Sequence, residues 1–281
     1  MGQKKKPPAV SSHQPAQSTG CLNPRSGIRN PKWVFRRFES VASTNDVAAR
    51  LADEGAPEGT IVVAEEQTAG RGRHGRSWSS PAGHGLYLSL VLRPSVPFER
   101  IGELAFVASL AAAEAIGQVS GLPAQIKWPN DVLLRGRKVC GILIEAGKAT
   151  GRHSDGATPR AVIVGTGINV NTQTFPAEIS ETATSIALQA GRAIPLETVE
   201  QALLSRLEAR YTEYLAAGFA PILAAWKSLD CTVGGEITVN TTDGAVKGRA
   251  AEVSSRGDLI VEHQDGTQTP VAAGEVILRD T

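Results

Sequence analysis

The chain has 281 residues, 41% of them hydrophobic and 20% charged, which is an ordinary globular composition at a length that can bury a sizeable core. No apolar run approaches the roughly 20 residues that cross a bilayer, and none follows the N-terminal lysines as in a secretory signal, so we expect no membrane partner. The net charge of +1 hides an asymmetry, because residues 1–38 have eight basic and no acidic side chains. The remaining residues have 21 basic and 28 acidic side chains, and this acidic excess argues against a basic DNA-binding face.

The cysteines and the N-terminal segment limit the protein class further. Cys21, Cys140 and Cys231 are far apart and form no C-x-x-C pair, which argues against a disulfide framework and a cysteine-based zinc site and predicts a cytoplasmic protein. Residues 1–31 are rich in Pro, Ser, Gln and Lys and predict a disordered basic tail. Its three consecutive lysines could contact an anionic surface or could simply be solvated.

Alternating strand and helix patterns begin near Trp33. Apolar and β-branched runs predict strands over residues 33–35, 60–64, 86–92, 125–128, 131–134, 138–145 and 161–164. Helical spacing and capping residues predict helices over residues 47–51, 98–119, 198–216 and 221–229. This pattern predicts an α/β or α+β domain.

The sequence pattern changes at Cys231. Short β-rich runs separated by glycine-containing turns follow over residues 236–240, 245–253, 259–262, 268–271 and 275–278. Five short strands in about 50 residues favour a small β-barrel. We therefore divide the chain into a tail (1–31), an α/β or α+β domain (32–229) and a C-terminal β-barrel (230–281).

A glycine- and arginine-rich loop follows the second predicted strand. Gly70 to Gly75 matches G-x-G-x-x-G, but Ser77 to Pro81 cannot open a helix and no acidic residue stands about 20 positions further on, so we exclude a dinucleotide-binding turn. The loop instead brings together Arg71, Arg73 and Arg76, whose planar cations suit phosphate or carboxylate. A plain surface loop or an RNA contact would give the same composition.

The strands over residues 131–134 and 138–145 are predicted to form a hairpin through a turn at Arg135-Gly136. A second group of polar residues lies around this hairpin. It comprises Lys127-Trp128-Pro129-Asn130-Asp131, then Gly136 to Lys138, and then Gly165 to Asn169. The Asn130 amide offers a donor and an acceptor in one plane, which suits a base edge. Each element alone would be mostly structural, with Trp128 in the core and Gly141 as a packing residue.

Taken together, these motifs resemble the biotin–protein ligase family. The resemblance rests on five segments in this order and spacing: Ser43-Thr44-Asn45, Gln67 to Trp78, Lys127 to Asp131, Gly136 to Lys138, and Gly165 to Asn169. It covers about residues 33–280. It implies an α/β catalytic domain with a mixed sheet, related to class II aminoacyl-tRNA synthetases, and a Src-homology-3-like C-terminal β-barrel.

The resemblance also implies a two-step reaction. The biotin carboxylate attacks the α-phosphate of ATP to give biotinyl-5′-AMP and pyrophosphate. A lysine of a biotin carboxyl carrier protein or domain, from acetyl-CoA carboxylase or a related carboxylase, then takes the biotinyl group and releases AMP. Mg²⁺ should accompany ATP, although the sequence shows no dedicated carboxylate cage and we predict no protein metal site.

The motif matches imply a role for each site residue. The implied biotin-binding residues are Ser43, Thr44, Asn45, Gln67, Arg71, Gly72, Arg73 and Lys138. The implied adenylate-binding residues are Arg76, Trp78, Asn130 and Asn169. The implied catalytic residues are Lys138, Arg73 and Asp131, with Asp131 orienting or deprotonating an acceptor amine whose pKa starts near about 10.4.

The N-terminus departs from many bacterial members of this family, which carry a winged helix that represses transcription. Only about 32 Pro/Ser-rich residues precede the first strand, too few for such a domain, so we expect no DNA partner and a monomer or homodimer. Two alternatives stay open. A lipoate–protein ligase or octanoyltransferase shares the catalytic fold but lacks the Gly/Arg loop followed by Trp, and an RNA-binding protein could use the loop and the basic tail.

Overall fold

The structure is a computed structural model that describes residues 33–146 and 161–278, so the predicted tail lies outside the described residues. The first seven strands are β1 (Val34–Val41), β2 (Thr60–Gln67), β3 (Gly85–Leu92), β4 (Ala124–Lys127), β5 (Asp131–Leu134), β6 (Arg137–Ala146) and β7 (Val162–Asn169). The helices are α1 (Thr44–Asp53), α2 (Glu103–Ser120), α3 (Ile186–Ala190), α4 (Leu196–Ala217) and α5 (Phe219–Lys227).

The first seven strands form one mixed sheet in the order β1-β2-β3-β7-β6-β5-β4. Strands β1 and β2 are parallel, and the other neighbouring pairs are antiparallel. This mixed sheet confirms the predicted α/β class.

The two faces of the sheet have different partners. Val164 and Ile168 of β7 belong to the main core with α2, whereas Ile163 belongs to a smaller cluster with α1. Because side chains alternate across a strand, Gly165 and Gly167 share the face of Ile163. Two residues without side chains leave this face open, and the functional site lies there.

Helix α2 is buried on nearly all sides between the sheet, α4 and α5. Contrary to the expectation from the sequence, the segment Phe98–Ser120 is long and apolar enough to cross a membrane, but 72% of its most apolar window is buried inside the protein, as expected of a core helix. Phe106 of α2 packs against Phe219 and Trp226 of α5 at ring-centroid distances of 5.3 and 4.9 Å.

Several predicted elements have different bounds in the structure. Strand β1 runs on to Val41 because it pairs with β2 along its length, and β7 runs past residue 164, its predicted end, to Asn169. Residues 98–100 form a separate 3₁₀ turn, so the long helix begins only at Glu103. The short helix α3 was not predicted, because its five residues are too few to show a period.

The C-terminal strands are β8 (Glu236–Thr241), β9 (Gly244–Val253), β10 (Leu259–Glu262), β11 (Gln268–Val271) and β12 (Glu275–Leu278). They form an antiparallel sheet in the order β11-β10-β9-β8-β12, which fits the expected Src-homology-3-like barrel. Trp128 joins the two domains: its backbone N–H donates to Thr232 Oγ1 at 2.8 Å, and its indole N–H donates to the Gly257 carbonyl at 2.9 Å. Its core role is therefore confirmed.

Candidate active site

A cavity of about 570 Å³ lies over the open face of β6 and β7. Its walls are the start of α1, the Gly/Arg loop, the turn before β5 and the edge strand β12 of the barrel. Every site residue singled out from the sequence lines it: Ser43, Thr44, Asn45, Gln67, Arg71, Gly72, Arg73, Arg76, Trp78, Asn130, Asp131, Lys138 and Asn169. The structure therefore brings together motifs that are up to about 125 residues apart in sequence.

Uncharged polar side chains hydrogen-bond to one another at one end of the cavity. Gln67 Oε1 accepts from the Thr44 backbone N–H at 2.8 Å and from the Thr44 hydroxyl at 3.0 Å. The Ser89 hydroxyl lies 2.7 Å from Thr44 Oγ1 and 2.6 Å from Asn45 Oδ1. These buried groups hold one another in fixed orientations, so this end offers preorganised hydrogen-bond donors and acceptors.

The start of α1 differs from a conventional helix cap. Ser43 occupies the N-cap position, but its side chain makes no capping hydrogen bond. Thr44 and Asn45 are buried in the first helical turn, and their side chains bond to groups at the cavity floor. The polar run predicted to cap the helix therefore builds the site as well.

The Gly/Arg loop is a small hairpin. The Gly72 N–H donates to the Arg76 carbonyl at 2.7 Å, and the Trp78 N–H donates to the Gly70 carbonyl at 2.8 Å. The turn between them uses His74 at φ 54° and Gly75 at φ 73°. Glycine favours such left-handed conformations, which explains Gly75, whereas Gly70 is required by close packing, since a β-carbon there would lie 2.5 Å from the Trp78 carbonyl oxygen.

Each of the three loop arginines has a different protein partner. Arg71 donates to Asp46 at 2.5 Å and to Glu145 at 3.0 Å. Arg73 donates to Asn130 Oδ1 at 3.1 Å, and Arg76 forms an ion pair with Glu275 of β12. The loop is thus fastened to α1, to the sheet, to the turn before β5 and to the barrel.

Arg73 is the loop cation most removed from water. Burial lowers the pKa of its guanidinium, and the charges of Asp131 and Glu275 oppose this shift. The group still carries its charge at neutral pH, because the arginine pKa lies far above 7. A half-buried cation with a neutral amide as its hydrogen-bond partner is well suited to meet an anionic ligand.

The charged end of the cavity is centred on Asp131. Lys138 Nζ lies 2.6 Å from Asp131 Oδ1, and Lys127 Nζ lies 3.7 Å from Asp131 Oδ2. Lys127 also donates to the Val276 carbonyl of the barrel at 3.3 Å. Two lysines around one carboxylate, with Arg73 nearby, make this end positive.

Trp78 forms the wall between the two ends. A β-carbon built on Gly167 would lie 2.6 Å from its Nε1, and one built on Gly141 would lie 3.1 Å from Cζ3. The indole therefore lies directly on the backbone of β6 and β7, with Lys138 Nζ 5.4 Å from its ring centroid. Its Nε1 is buried without a hydrogen-bond partner.

The two asparagines assigned to the adenylate are both bonded to the protein. Asn130 accepts from Arg73 and donates to the Ile142 carbonyl, and it is buried. Asn169 donates to the Thr184 carbonyl at 3.1 Å at the end of β7. Within residues 33–146 and 161–278, no group of three or more His, Cys, Asp or Glu side chains could hold a metal ion.

The sequence analysis missed several residues that build the site. Ser89 is a polar residue within the wholly buried strand β3, and that position could have indicated its role. Glu145 ends β6 with nothing in the sequence to connect it to Asn45. Lys127 stood in a recognised motif without an assigned role, and Glu275 reaches the cavity only because the barrel packs there.

Two protein families match separate segments of the chain. The Biotin/lipoate A/B protein ligase family matches residues 37–169, and the Biotin protein ligase C terminal domain matches residues 232–279. The "Biotin--[acetyl-CoA-carboxylase] ligase" of Mycobacterium tuberculosis is 35% identical over 254 residues, which cover 86% of this chain and 89% of that protein. The ligase of the same name from Paracoccus denitrificans is 38% identical over 238 residues, with coverages of 82% and 95%.

The chain is also similar to solved structures of biotin protein ligases. The chain is similar to the biotin protein ligase of Aquifex aeolicus in complex with biotin and ATP, with a TM-score of 0.75, 31% identity and coverage of 88% of this chain and 99% of that chain. It shares its fold with the biotin protein ligase of Leishmania major in complex with biotinyl-5-AMP, at a TM-score of 0.58, 24% identity and coverages of 85% and 98%.

Proposed function

The chain is a ligase that belongs to the biotin protein ligase family, and from this premise we propose that its cavity makes biotinyl-5′-AMP from biotin and ATP. The biotinyl group then passes to a lysine of a carrier domain of acetyl-CoA carboxylase or a related carboxylase. The observation that carries this proposal is the two-ended cavity. Its neutral hydrogen-bonding end suits the ureido head of biotin, and its positive end suits the carboxylate and the phosphates.

In the first step, the protein positions the reactants and stabilises charge. Ser43, Thr44, Asn45 and Gln67 hold the head group, which aims the carboxylate of the ligand at the positive end. Lys138 and Arg73 then meet the carboxylate and the α-phosphate, where negative charge accumulates during attack. Fixed cations in a site that excludes water stabilise such a transition state by several kcal/mol, on the order of 3–4 kcal/mol for one donor.

In the second step, an acceptor amine attacks the acyl carbon and AMP leaves. Asp131 is the acid nearest to Lys138, and Lys138 occupies one of its oxygens at 2.6 Å. When Lys138 turns to the phosphate, that oxygen becomes available to orient the amine or to accept its proton. The lysine side chain is protonated at neutral pH, because the pKa of its ammonium group is about 10.4. A nearby carboxylate therefore helps to remove the proton before the amine attacks.

The remaining predicted contacts protect and hold the activated intermediate. Trp78 covers the glycine floor and keeps water from the acyl–phosphate bond. Arg76, with Arg71 and Gly72, closes the loop over the ligand, and Asn130 and Asn169 lie on the side where the adenine would bind. Asn130 must exchange its bond to Arg73 for one to the base.

We propose that Mg²⁺ enters with ATP and is held mainly by phosphate oxygens. Asp131 and Glu275 are the acids that line the cavity, and each is already paired with a cation. Magnesium keeps several waters and commonly bridges phosphates through one or two carboxylates, which is consistent with this donor set.

We further propose that residues 32–229 form the catalytic unit and residues 230–281 the barrel. We also propose that the protein is a cytoplasmic monomer or homodimer without a DNA partner; the excess of acidic over basic side chains in residues 39–281 argues against a basic face for DNA.

Mass spectrometry of a carrier domain tests the proposed function. The carrier is incubated with the full chain, MgATP and either biotin or lipoate, and calorimetry with and without ATP follows the binding of each acid. A mass gain of one biotinyl group on one lysine is expected, with none from lipoate. Lipoyl transfer in place of biotinyl transfer would make the chain a lipoate ligase. If the carrier gains neither group, the proposal is refuted.

A further inference from the structure

Glu145 lies at the end of β6 and bonds to two elements of the site. Its carboxylate accepts from Asn45 Nδ2 at 2.6 Å and from Arg71 at 3.0 Å through both oxygens. Arg71 in turn bonds to Asp46 of α1 at 2.5 Å. Nothing in the two-step reaction assigns a role to Glu145.

The Asn45 amide is part of a hydrogen-bond chain that runs along the neutral end of the cavity. Thr44 Oγ1 lies 2.7 Å from the Ser89 hydroxyl and 3.0 Å from Gln67 Oε1, and the Ser89 hydroxyl also lies 2.6 Å from Asn45 Oδ1. These three contacts share the two protons of the Ser89 and Thr44 hydroxyls. Gln67 Nε2 donates to Ser80 Oγ at 2.9 Å, and Ser80 donates to the Trp78 carbonyl at 3.2 Å. The Thr44 backbone N–H fixes the orientation of Gln67, whereas the two hydroxyls can point along the chain in either direction.

Packing cannot choose between the two orientations of the Asn45 amide. Gly165 leaves just enough room for it, since a β-carbon there would lie 2.3 Å from Asn45 Oδ1. The oxygen and nitrogen of an amide have nearly the same size, so this close fit accepts either orientation. The Ser89 hydroxyl also accepts either orientation: it donates to Asn45 Oδ1 and accepts from Thr44, or it accepts from Asn45 Nδ2 and donates to Thr44.

The carboxylate of Glu145 can only accept, so it alone forces the Asn45 amide nitrogen toward itself and the oxygen toward Ser89. We propose that Glu145 is a positioning residue that sets the polarity of this hydrogen-bond chain and thereby selects a ureido head group. The inference rests on the proposed function and adds to it a determinant of substrate choice. Arg71 keeps Glu145 in place, so the same pair ties the loop to the recognition end.

Glu145→Gln is the sharpest test, because it keeps size and removes only the charge and one acceptor. Arg71 can only donate, so the Gln oxygen should face Arg71 and its NH₂ group should face Asn45. The Asn45 amide is then expected to turn over. An inverted amide offers an acceptor where the wild type offers a donor.

Two ligands report this inversion by calorimetry in the absence of ATP. They are biotin and 2-iminobiotin, in which a protonated imino donor replaces the ureido oxygen. Wild type should prefer biotin, and Glu145→Gln should shift the affinity ratio toward 2-iminobiotin by about tenfold or more, the scale of one charge-assisted hydrogen bond. Glu145→Asp keeps the acceptor-only group and should retain the wild-type ratio at a lower affinity for both ligands.

Glu54→Gln is the matched control, since Glu54 is exposed and its nearest cation, Arg50, lies 3.9 Å away. It should change neither affinity. Circular dichroism checks folding, and Glu145→Asp serves as the second variant if Glu145→Gln unfolds. Equal losses for both ligands would reduce Glu145 to a structural residue and overturn the inference, as would a changed ratio in Glu145→Asp. Wild type that binds no biotin would refute the proposed function itself.

Discussion

Gly167→Ala should disable the site without removing any functional group. Gly167 lies in β7 under the indole of Trp78, and its φ is not in the left-handed region, so alanine is compatible with the backbone. The added β-carbon would lie 2.6 Å from Trp78 Nε1 and 2.7 Å from Cε2. Ordinary contacts between such atoms are about 3.5 Å or longer, so the indole must lift by about 1 Å.

The expected loss of activity follows from this displacement. Trp78 forms the wall beside Lys138, and its backbone closes the loop hairpin through Gly70. A misplacement of about 1 Å at a site of this kind reduces the rate on the order of 10²-fold, or about 2.7 kcal/mol in the activation free energy. The fold should survive, because the indole moves into the cavity rather than into the core.

The assay measures kcat/KM for carrier biotinylation and compares Gly167→Ala with two further glycine variants. Gly141→Ala would place its β-carbon 3.1 Å from Trp78 and 3.3 Å from Lys138 Cε, contacts that a shift of a few tenths of an ångström relieves, so its loss should be smaller. Gly102→Ala has no atom within 4 Å and serves as the control with unchanged activity. A loss in Gly167→Ala no greater than that in Gly141→Ala, with circular dichroism unchanged, would refute the steric reasoning.

Three further outcomes are expected. Lys138→Ala should reduce adenylate formation on the order of 10²–10³-fold with the fold intact, because a cation beside the α-phosphate is lost; pyrophosphate release within threefold of wild type would contradict this role. Arg73→Gly should release the reactive adenylate, because the loop loses the cation that meets the phosphate and holds the loop closed over the ligand; streptavidin blotting with an unrelated lysine-rich protein should show bystander labelling, and blots as weak as those of wild type, with carrier labelling unchanged, would count against it. Burial raises the pKa of the Cys231 thiol to about 11, so the stability from the protonated thiol is complete below the unfolded pKa of about 8.5 and is lost as the pH rises toward that of the folded state. The melting temperature should fall across this range, and less steeply in Cys231→Ala; identical slopes in the two proteins would refute this contribution.

Sequence patterns predicted the elements that depend on local periodicity. The turn at Arg135-Gly136 was predicted from its residues and joins β5 to β6 as expected, with φ values of 49° and 75°. The short C-terminal strands also lie where alternation and turn residues indicated. The predicted ends of β1 and β7 were wrong, because the additional residues of these strands are held by pairing with adjacent strands.

By itself, the sequence determined the fold class, the family and the set of motifs that line one cavity, because these depend on residue types at fixed spacings. Only the tertiary structure decided which groups meet within it. Glu145 reaches Asn45 across 100 positions, and Glu275 reaches Arg76 across 199, because strand order and the docking of the barrel place them there. Hydrogen bonds and ion pairs act over a few ångströms in space whatever the separation along the chain, so no local pattern could reveal the partners that orient this site.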